Sequence, residues 1–270
     1  PSADFTVKVD AQGLKPSRKY FYRFVAEDVS SCIGITKTLP KGNVNQFRIG
    51  LASCSNFPQG YFNAYRDMAS QDLDLVLHLG DYIYEYPDGE YANQEALDRL
   101  NRHVRPTHEI LTLDDYRTRY GLYRTDKNLQ AVHQRHPFIC VWDDHELTND
   151  TWKTGAENHN KGEGDFLSRI RAARQAYHEW MPIRTNSSGN QGPIFRSFQI
   201  GDLADLMMLD TRFHGRDRGL NYHEDISQLM QWFDKSDPSN IRKVTWEEAK
   251  SLPQSSRELL KLPFDYSADK

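Results

Sequence analysis

The chain of 270 residues has few cysteines, no long apolar run and no excess of positive charge. Its cysteines, Cys32, Cys54 and Cys140, are odd in number and widely spaced, so they do not form a framework of paired disulfides. No segment has the roughly 18 consecutive apolar residues of a membrane span, and no charged-then-apolar signal peptide opens the sequence. A formal net charge of -4 leaves no basic footprint for nucleic-acid binding.

The overall composition is that of a globular protein. Hydrophobic residues make up 38% of the chain and charged residues 27%, which does not favour disorder. This length is enough for one large or two modest domains with a substantial core. The sequence carries no indication of the oligomeric state.

The most informative stretch is residues 73–86, LDLVLHLGDYIYEY. Its first half is short and rich in aliphatic residues, which predicts a buried strand ending at Gly80 and Asp81. Three other apolar runs, at residues 47–51, 137–142 and 203–209, end just before Cys54, before the acidic segment 143–146 and at Asp210. Ligands of open α/β sheets bind at the carboxyl ends of strands, so four such endings predict one site.

Around these strands, alternating residues 5–10, 19–24 and 32–38 predict strands of a β domain, and residues 40–45 read as a linker. Helical spacing or start signals predict helices over 60–70, from 113, over 125–133, over 165–180 and over 224–233. The polar residues 90–120 are expected to cover the site. Residues 235–270 show no recognisable finishing element.

The residues at the strand ends suit metal binding. A carboxylate at a strand tip can bridge two hard cations, and Asp81 is the first candidate. Tyr84 lies close enough in sequence to enter the same space, and a phenol bound to ferric iron loses its proton. A thiolate from Cys54 is a softer ligand, which favours iron or zinc over magnesium there.

The segment 143–146, DDHE, supplies the other half of the predicted site. Asp144 can ligate a second metal, and His145 can donate to a phosphoryl oxygen or protonate a leaving group. Asn149, in the loop that follows, is a further candidate ligand. Two metals a few ångströms apart can clamp a phosphoryl group and generate hydroxide for in-line attack, a chemistry that suits phosphate esters.

These motifs resemble a known family. Residues 80–84, GDYIY, are similar to the GDxxY motif of purple acid phosphatases among the calcineurin-like metallophosphoesterases, and 144–146 resemble their Asn-His-Asp/Glu motif with Asp in place of Asn. The fuller resemblance is to PhoD-like alkaline phosphatases and phosphodiesterases. It rests on residues 52–54, 59–62, 78–86, 141–146 and 208–212, with 13–16 and 20–24 resembling that family's N-terminal domain.

The resemblance implies a secreted or periplasmic phosphomonoesterase or phosphodiesterase that acts on small phosphate esters with ferric iron and calcium, other divalent metals being compatible. It implies Cys54, Asp81 and Tyr84 as iron ligands, with Asp81 also reaching calcium. It further implies an α/β metallophosphoesterase sheet flanked by helices at residues 46–270, preceded at 1–40 by the C-terminal part of an immunoglobulin- or fibronectin-III-like β-sandwich.

The family's later ligands, on Gly-Asp-x-His segments and a further Asp, have no match in residues 213–270. We therefore expect the 46–270 domain to be incomplete at its C-terminus, and this chain alone to hold metals weakly and to be inactive or poorly active. Two alternatives stay open. One is a non-catalytic carbohydrate- or matrix-binding module with structural calcium, and the other is a metal-free glycoside hydrolase using Asp81 and Asp144.

Overall fold

The computed structural model describes residues 3–184, 194–220 and 230–261 of a mixed α/β chain. Contacts divide the chain into two compact units, Pro1–Asp217 and Arg218–Lys270. Among the described residues, no helix is both long and apolar enough to cross a bilayer.

The strands are β1 (Lys19–Tyr22), β2 (Val25–Ala26), β3 (Val29–Ser30), β4 (Gly34–Lys37), β5 (Ile49–Ala52), β6 (Leu75–His78), β7 (Phe138–Cys140), β8 (Arg196–Ile200), β9 (Ala204–Met208), β10 (Met230–Asp234), β11 (Arg242–Val244) and β12 (Arg257–Lys261). The helices are α1 (Asn63–Ser70), α2 (Gln94–Leu100), α3 (Leu113–Tyr123), α4 (Lys127–Arg135), α5 (Phe166–Trp180) and α6 (Trp246–Ser251). Short 3-10 turns occur at Phe57–Gln59 and Gln254–Ser256.

A parallel three-stranded sheet of order β5-β6-β7 forms the centre of the first unit. All four residues of β6 are buried, because this strand lies between the other two and its side chains enter the core on both faces. Parallel strands end at the same edge of a sheet. The three predicted strand tips after β5, β6 and β7 therefore lie side by side.

The structure confirms four of the predicted helices. The helix predicted over 60–70 is α1, and those predicted from 113, over 125–133 and over 165–180 are α3, α4 and α5. Thr112 and Asp115 form a reciprocal capping box at the start of α3, and Asp165 caps α5 by accepting from the Ser168 amide. Helix α1 packs against α4, and α3 against α5.

The structure differs from the predicted secondary structure in four places. Residues 6–10 form no strand and residues 3–5 form a turn, because no described strand pairs with this segment. Strand β9 does follow the predicted run, but it pairs antiparallel with β8 in a separate two-stranded sheet. Of the helix predicted over 224–233, residues 221–229 lie outside the described residues and Met230–Asp234 is a strand. Residues 235–261, for which no finishing element was recognised, contain β11, α6 and β12. Strands β11 and β12 pair with β10 in a sheet of order β11-β10-β12.

At the other end of the chain, β1 pairs antiparallel with β4, and β2 with β3. These pairings confirm the strands predicted within 19–24 and 32–38. Whether they belong to a β-sandwich stays a prediction.

Gly80 lets the turn after β6 approach the turn after β7. Its φ of 109° lies in the left-handed region, and a Cβ built on it would lie 2.3 Å from the backbone nitrogen of Asp143. No side chain fits that gap. The sequence Gly-Asp at this strand end therefore reflects close backbone contact as well as a turn.

We expect Gly80→Ala to destabilise the protein more than the matched variant Gly89→Ala. Gly89 also has a positive φ, of 86°, but nothing lies within 4 Å of its added Cβ. The Gly89 variant should lose about 1–2 kcal/mol of unfolding free energy from backbone strain alone. The Gly80 variant should lose about 1–3 kcal/mol more through the steric clash. Urea unfolding of the two variants measures the difference, and equal losses would contradict the close approach.

Candidate metal centre

The turns after β5 and β6 lie against each other. The Cys54 amide donates to the Gly80 carbonyl at 3.2 Å, and the Ser55 amide donates to the Asp81 carbonyl at 2.8 Å. Both Cys54 and Asp81 have left-handed backbones, with φ of 55° and 56°. Such a conformation costs about 1–2 kcal/mol in a non-glycine residue, so the surrounding structure must hold it.

Three predicted ligands converge at these turns. The Cys54 thiol lies 3.3 Å from Oδ2 of Asp81, and the Tyr84 hydroxyl lies 3.4 Å from the same oxygen. Asp81 is 6% and Tyr84 4% exposed. A thiol, a phenol and a carboxylate oxygen therefore surround one point, as the sequence predicted.

Asp144 and His145 bring the turn after β7 to the same place. One ligand atom each from Asp81, Asp144 and His145 lies within 4.8 Å of the others. The second oxygen of Asp144 accepts from the Asp150 amide at 2.6 Å. Asp144 and His145, the two candidates from segment 143–146, are thus beside Asp81.

Glu146 connects the turns from inside the fold. Its buried carboxylate accepts from the amides of Asp81, Tyr82 and Asp143 at 2.9, 2.7 and 2.8 Å. Burial and the charge of Asp81 raise the pKa of Glu146, whereas these three backbone donors favour the charged form. Glu146 therefore holds the turns after β6 and β7 together from the buried side of the site.

Glu85 was not predicted from the sequence, although a carboxylate inside a buried aromatic run was a signal for it. It is fully buried, and its Oε2 lies 2.7 Å from Nδ1 of His145. Its Oε1 accepts from the Asn149 amide at 2.7 Å and from the Asn158 side chain at 3.0 Å. Burial raises the pKa of Glu85, but these hydrogen bonds and His145 outweigh burial and lower it.

His145 is held by an aromatic contact with Tyr84 as well as by the hydrogen bond between its Nδ1 and Glu85. Its ring centroid lies 4.3 Å from that of Tyr84, with the planes 30° apart. Burial lowers the pKa of His145, but Glu85, with Asp81 and Asp144, outweighs burial and raises the pKa to about 9. The imidazole is therefore oriented through Nδ1, which leaves Nε2 for a ligand.

Asn149 is placed differently from the other predicted ligands. Its side-chain nitrogen donates to Glu157 at 2.9 Å, and its backbone amide donates to Glu85. Among the hydrogen bonds of the described residues, Glu157 is the partner of this side chain. Its role as a metal ligand stays a prediction.

Arg212 gives the acidic edge its positive partner. Asp210, two residues earlier in sequence, accepts from the backbone amides of Arg212 and Phe213. The guanidinium of Arg212 instead contacts Asp143 at 3.2 Å, Asp150 at 3.2 Å and Asp144 at 3.4 Å. The residue therefore lies at the site, brought there from 69 residues away.

The donor set fits bound cations. Burial is the main cause that raises the pKa of Asp81, and the charges of Asp143 and Asp144 add to it. A cation would offset this accumulation of negative charge and keep the carboxylates ionised. Cys54 and Tyr84 suit a thiolate- and phenolate-binding metal, whereas Asp144 suits a harder one.

We expect the metal-free protein to show a His145 imidazole that titrates near pH 9, and Glu85→Gln to lower that pKa toward or below the ordinary 6.5. Because the folded-state pKa is raised, the Glu85–His145 pair stabilises the fold fully below about pH 6.5, and this contribution is lost as the pH rises through 9. The stability difference between wild type and variant should therefore shrink over that interval. NMR titration and urea unfolding measure both effects, and an unchanged imidazole pKa in the variant would contradict the pairing.

The sequence and the fold match known proteins. The PhoD-like phosphatase family matches residues 49–253, and the N-terminal domain of PhoD-like phosphatases matches residues 1–40. Alkaline phosphatase D of Bacillus subtilis (strain 168) is 43% identical over 226 residues, which cover 82% of this chain and 38% of that protein. A solved structure of PhoD matches with a TM-score of 0.72 and 39% identity, covering 86% of this chain and 43% of its own. The chain thus spans about two fifths of these relatives' length, and it belongs to the PhoD-like phosphatase family.

Proposed function

We propose that this protein is a metal-dependent phosphoric ester hydrolase of the alkaline phosphatase and phosphodiesterase type, acting on small phosphate esters. The observation that carries the proposal is the convergence of Cys54, Asp81, Tyr84 and Asp144 at one edge of the parallel sheet, in a chain of this family. The name of the B. subtilis relative, alkaline phosphatase D, supports the same reaction. A secreted or periplasmic location is part of the proposal and rests on the family resemblance.

The proposal extends to the fold. Residues 46–270 would carry the metallophosphoesterase domain around β5, β6 and β7, and residues 1–40 would be part of a β-sandwich. The match of residues 1–40 to the family's N-terminal domain and the antiparallel pairing of β1 with β4 support this division.

We assign ferric iron to Cys54, Asp81 and Tyr84, and calcium to Asp81, Asp144 and Asn149. When bound, the two cations would polarise a phosphoryl group and activate water for in-line attack. Thiol and phenol donors beside Asp81 support the softer or ferric ion on that side, and the carboxylate of Asp144 supports the harder ion on the other.

The protein's own residues would orient the ester and move the proton. His145, fixed through Nδ1 by Glu85, presents Nε2 to a phosphoryl oxygen or to the leaving group. Arg212 holds Asp143 and Asp144 in place. Since Glu146 fixes the turns, the donors are preorganised before substrate binds.

We expect Asp81→Asn to abolish metal retention and turnover, because the side chain that would hold both cations would lose its charge. Loss of an outer contact to a metal ligand already costs about 10–100-fold in affinity, so loss of the bridge should cost at least about 100-fold. Elemental analysis and turnover of bis-p-nitrophenyl phosphate, with metals supplied in excess, measure both. Asp72→Asn is the control, since its carboxylate is 83% exposed and pairs with Arg48 outside the site.

The same measurements on the wild type separate the alternatives. Iron with calcium and chelator-sensitive turnover support the hydrolase. Calcium alone without turnover would support the binding module, and neither metal, with sugar hydrolysis, would support a glycosidase. Full turnover by Asp81→Asn would contradict the assignment of Asp81.

We expect His145→Gln to lower kcat by about 10²–10⁴-fold while the metals stay bound, because proton transfer rather than metal binding is lost. Steady-state kinetics alongside elemental analysis measure this. His108→Gln is the matched control, since its side chain is 65% exposed and pairs with Asp115. An equal loss of metal and activity in the His145 variant would instead make His145 a ligand.

A further inference from the structure

A cavity of about 310 Å³ opens beside the candidate metal centre. Cys54 and Tyr84 line it together with Tyr61 and Tyr91. A group in this cavity would be adjacent to a phosphoryl group held by the metals, and this volume suits a small organic ligand. We infer that the cavity binds a planar aromatic group of the phosphate ester, a substrate class that rests on the proposed function and narrows it.

Two of the tyrosines that line the cavity have side chains exposed to solvent. Tyr61 is 54% and Tyr91 60% exposed, whereas Tyr82 and Tyr120 are fully buried. An exposed ring face beside a cavity can stack on a planar ligand, which gains binding energy beyond simple burial of apolar area. The exposed rings therefore offer a contact that the buried ones cannot.

Tyr91 is fixed in place despite its exposure. Its φ of 43° is left-handed, and its carbonyl accepts from the side-chain amides of Asn56 at 2.8 Å and Gln59 at 2.9 Å. Its ring lies 5.6 Å from that of Tyr84 and 6.4 Å from that of His145, nearly parallel to the latter at 21°. A strained residue persists when its surroundings determine it, and such residues cluster at ligand sites. The Tyr91 ring is thus held next to Tyr84 and His145 before a substrate binds.

Tyr61 is held by a cation–π contact with Arg102. The guanidinium carbon of Arg102 lies 5.5 Å from the Tyr61 ring centroid. Arg102 is buried and pairs with Asp126 at 2.8 Å, so it is itself held. A cation behind one ring face leaves the aromatic group oriented for a ligand.

Three polar side chains around the cavity already form hydrogen bonds within the protein. Asn56 donates to Tyr91 and accepts from the Tyr123 hydroxyl at 3.3 Å, and Gln59 donates to Tyr91. Ser55 bonds to the Tyr65 hydroxyl. The exposed tyrosine rings are therefore the contacts that these three side chains leave for a substrate group.

Calorimetry of the full chain, loaded with iron and calcium, tests the inference without turnover. Phenylphosphonate and methylphosphonate carry the same headgroup but differ in the ring. We expect phenylphosphonate to bind about three- to tenfold more tightly, a factor that stacking supplies. Cyclohexylphosphonate, similar in size but not planar, should bind more weakly than phenylphosphonate.

Variants assign the preference to the rings. Tyr91→Ala and Tyr61→Ala should each reduce the preference for phenylphosphonate while leaving the affinity for methylphosphonate unchanged. Tyr91→Phe keeps the ring and should keep the preference. Phe21→Ala is the control, because Phe21 is 68% exposed on β1 and does not line the cavity.

Equal binding of the phenyl and methyl compounds to the wild type would overturn the aromatic site and leave the proposed function standing. So would an unchanged preference in both alanine variants, or an equal loss of affinity for both compounds in them. Failure of methylphosphonate to bind the metal-loaded wild type would count against the proposed function itself and would overturn the inference with it.

Discussion

The carboxylate of Glu146 is the contact on which the candidate site depends. It accepts hydrogen bonds from three backbone amides, two in the turn after β6 and one in the turn after β7. Burial raises the pKa of this carboxyl group, and its three backbone donors offset part of that effect and hold the side chain in place. Because the same turns carry Asp81 and Asp144, this one side chain sets the separation of the two carboxylates that would hold the cations.

Charge at the edge of the sheet is arranged in layers. Asp81 and Asp144 face the candidate metal position, and the guanidinium of Arg212 contacts Asp143 and Asp150 and also reaches Asp144 at 3.4 Å. Without a cation, burial and mutual repulsion raise the pKa of Asp81. Arg212 offsets part of this repulsion from the outer side, so the inner carboxylates stay close enough to share a metal.

Aromatic contacts connect the metal centre with its surroundings. The Tyr84 ring packs on His145, and Tyr91 lies against both. The phenol that would bind iron, the imidazole that would move a proton and the exposed ring at the cavity are therefore one packed cluster. A substrate ring bound at Tyr91 would extend this stack toward solvent.

The sequence by itself determined the ends of the three central strands and four of the helices, and it indicated which side chains would lie at those strand ends. Short apolar runs, a Gly-Asp turn and caps such as Thr112 and Asp165 act over a few neighbouring residues, so they can be predicted locally. Cys54, Asp81, Tyr84 and Asp144 were predicted from these strand ends together with the family resemblance, and the parallel sheet brings them together.

Only the tertiary structure decided which distant residues complete the site. Glu85 meets His145 across 60 residues of sequence and Arg212 meets Asp143 across 69, and no local pattern specifies such pairs. The same limit explains the wrong strand at residues 5–10 and the antiparallel pairing of β9. A strand exists only where another strand supplies hydrogen-bond partners, and that depends on the path of the whole chain.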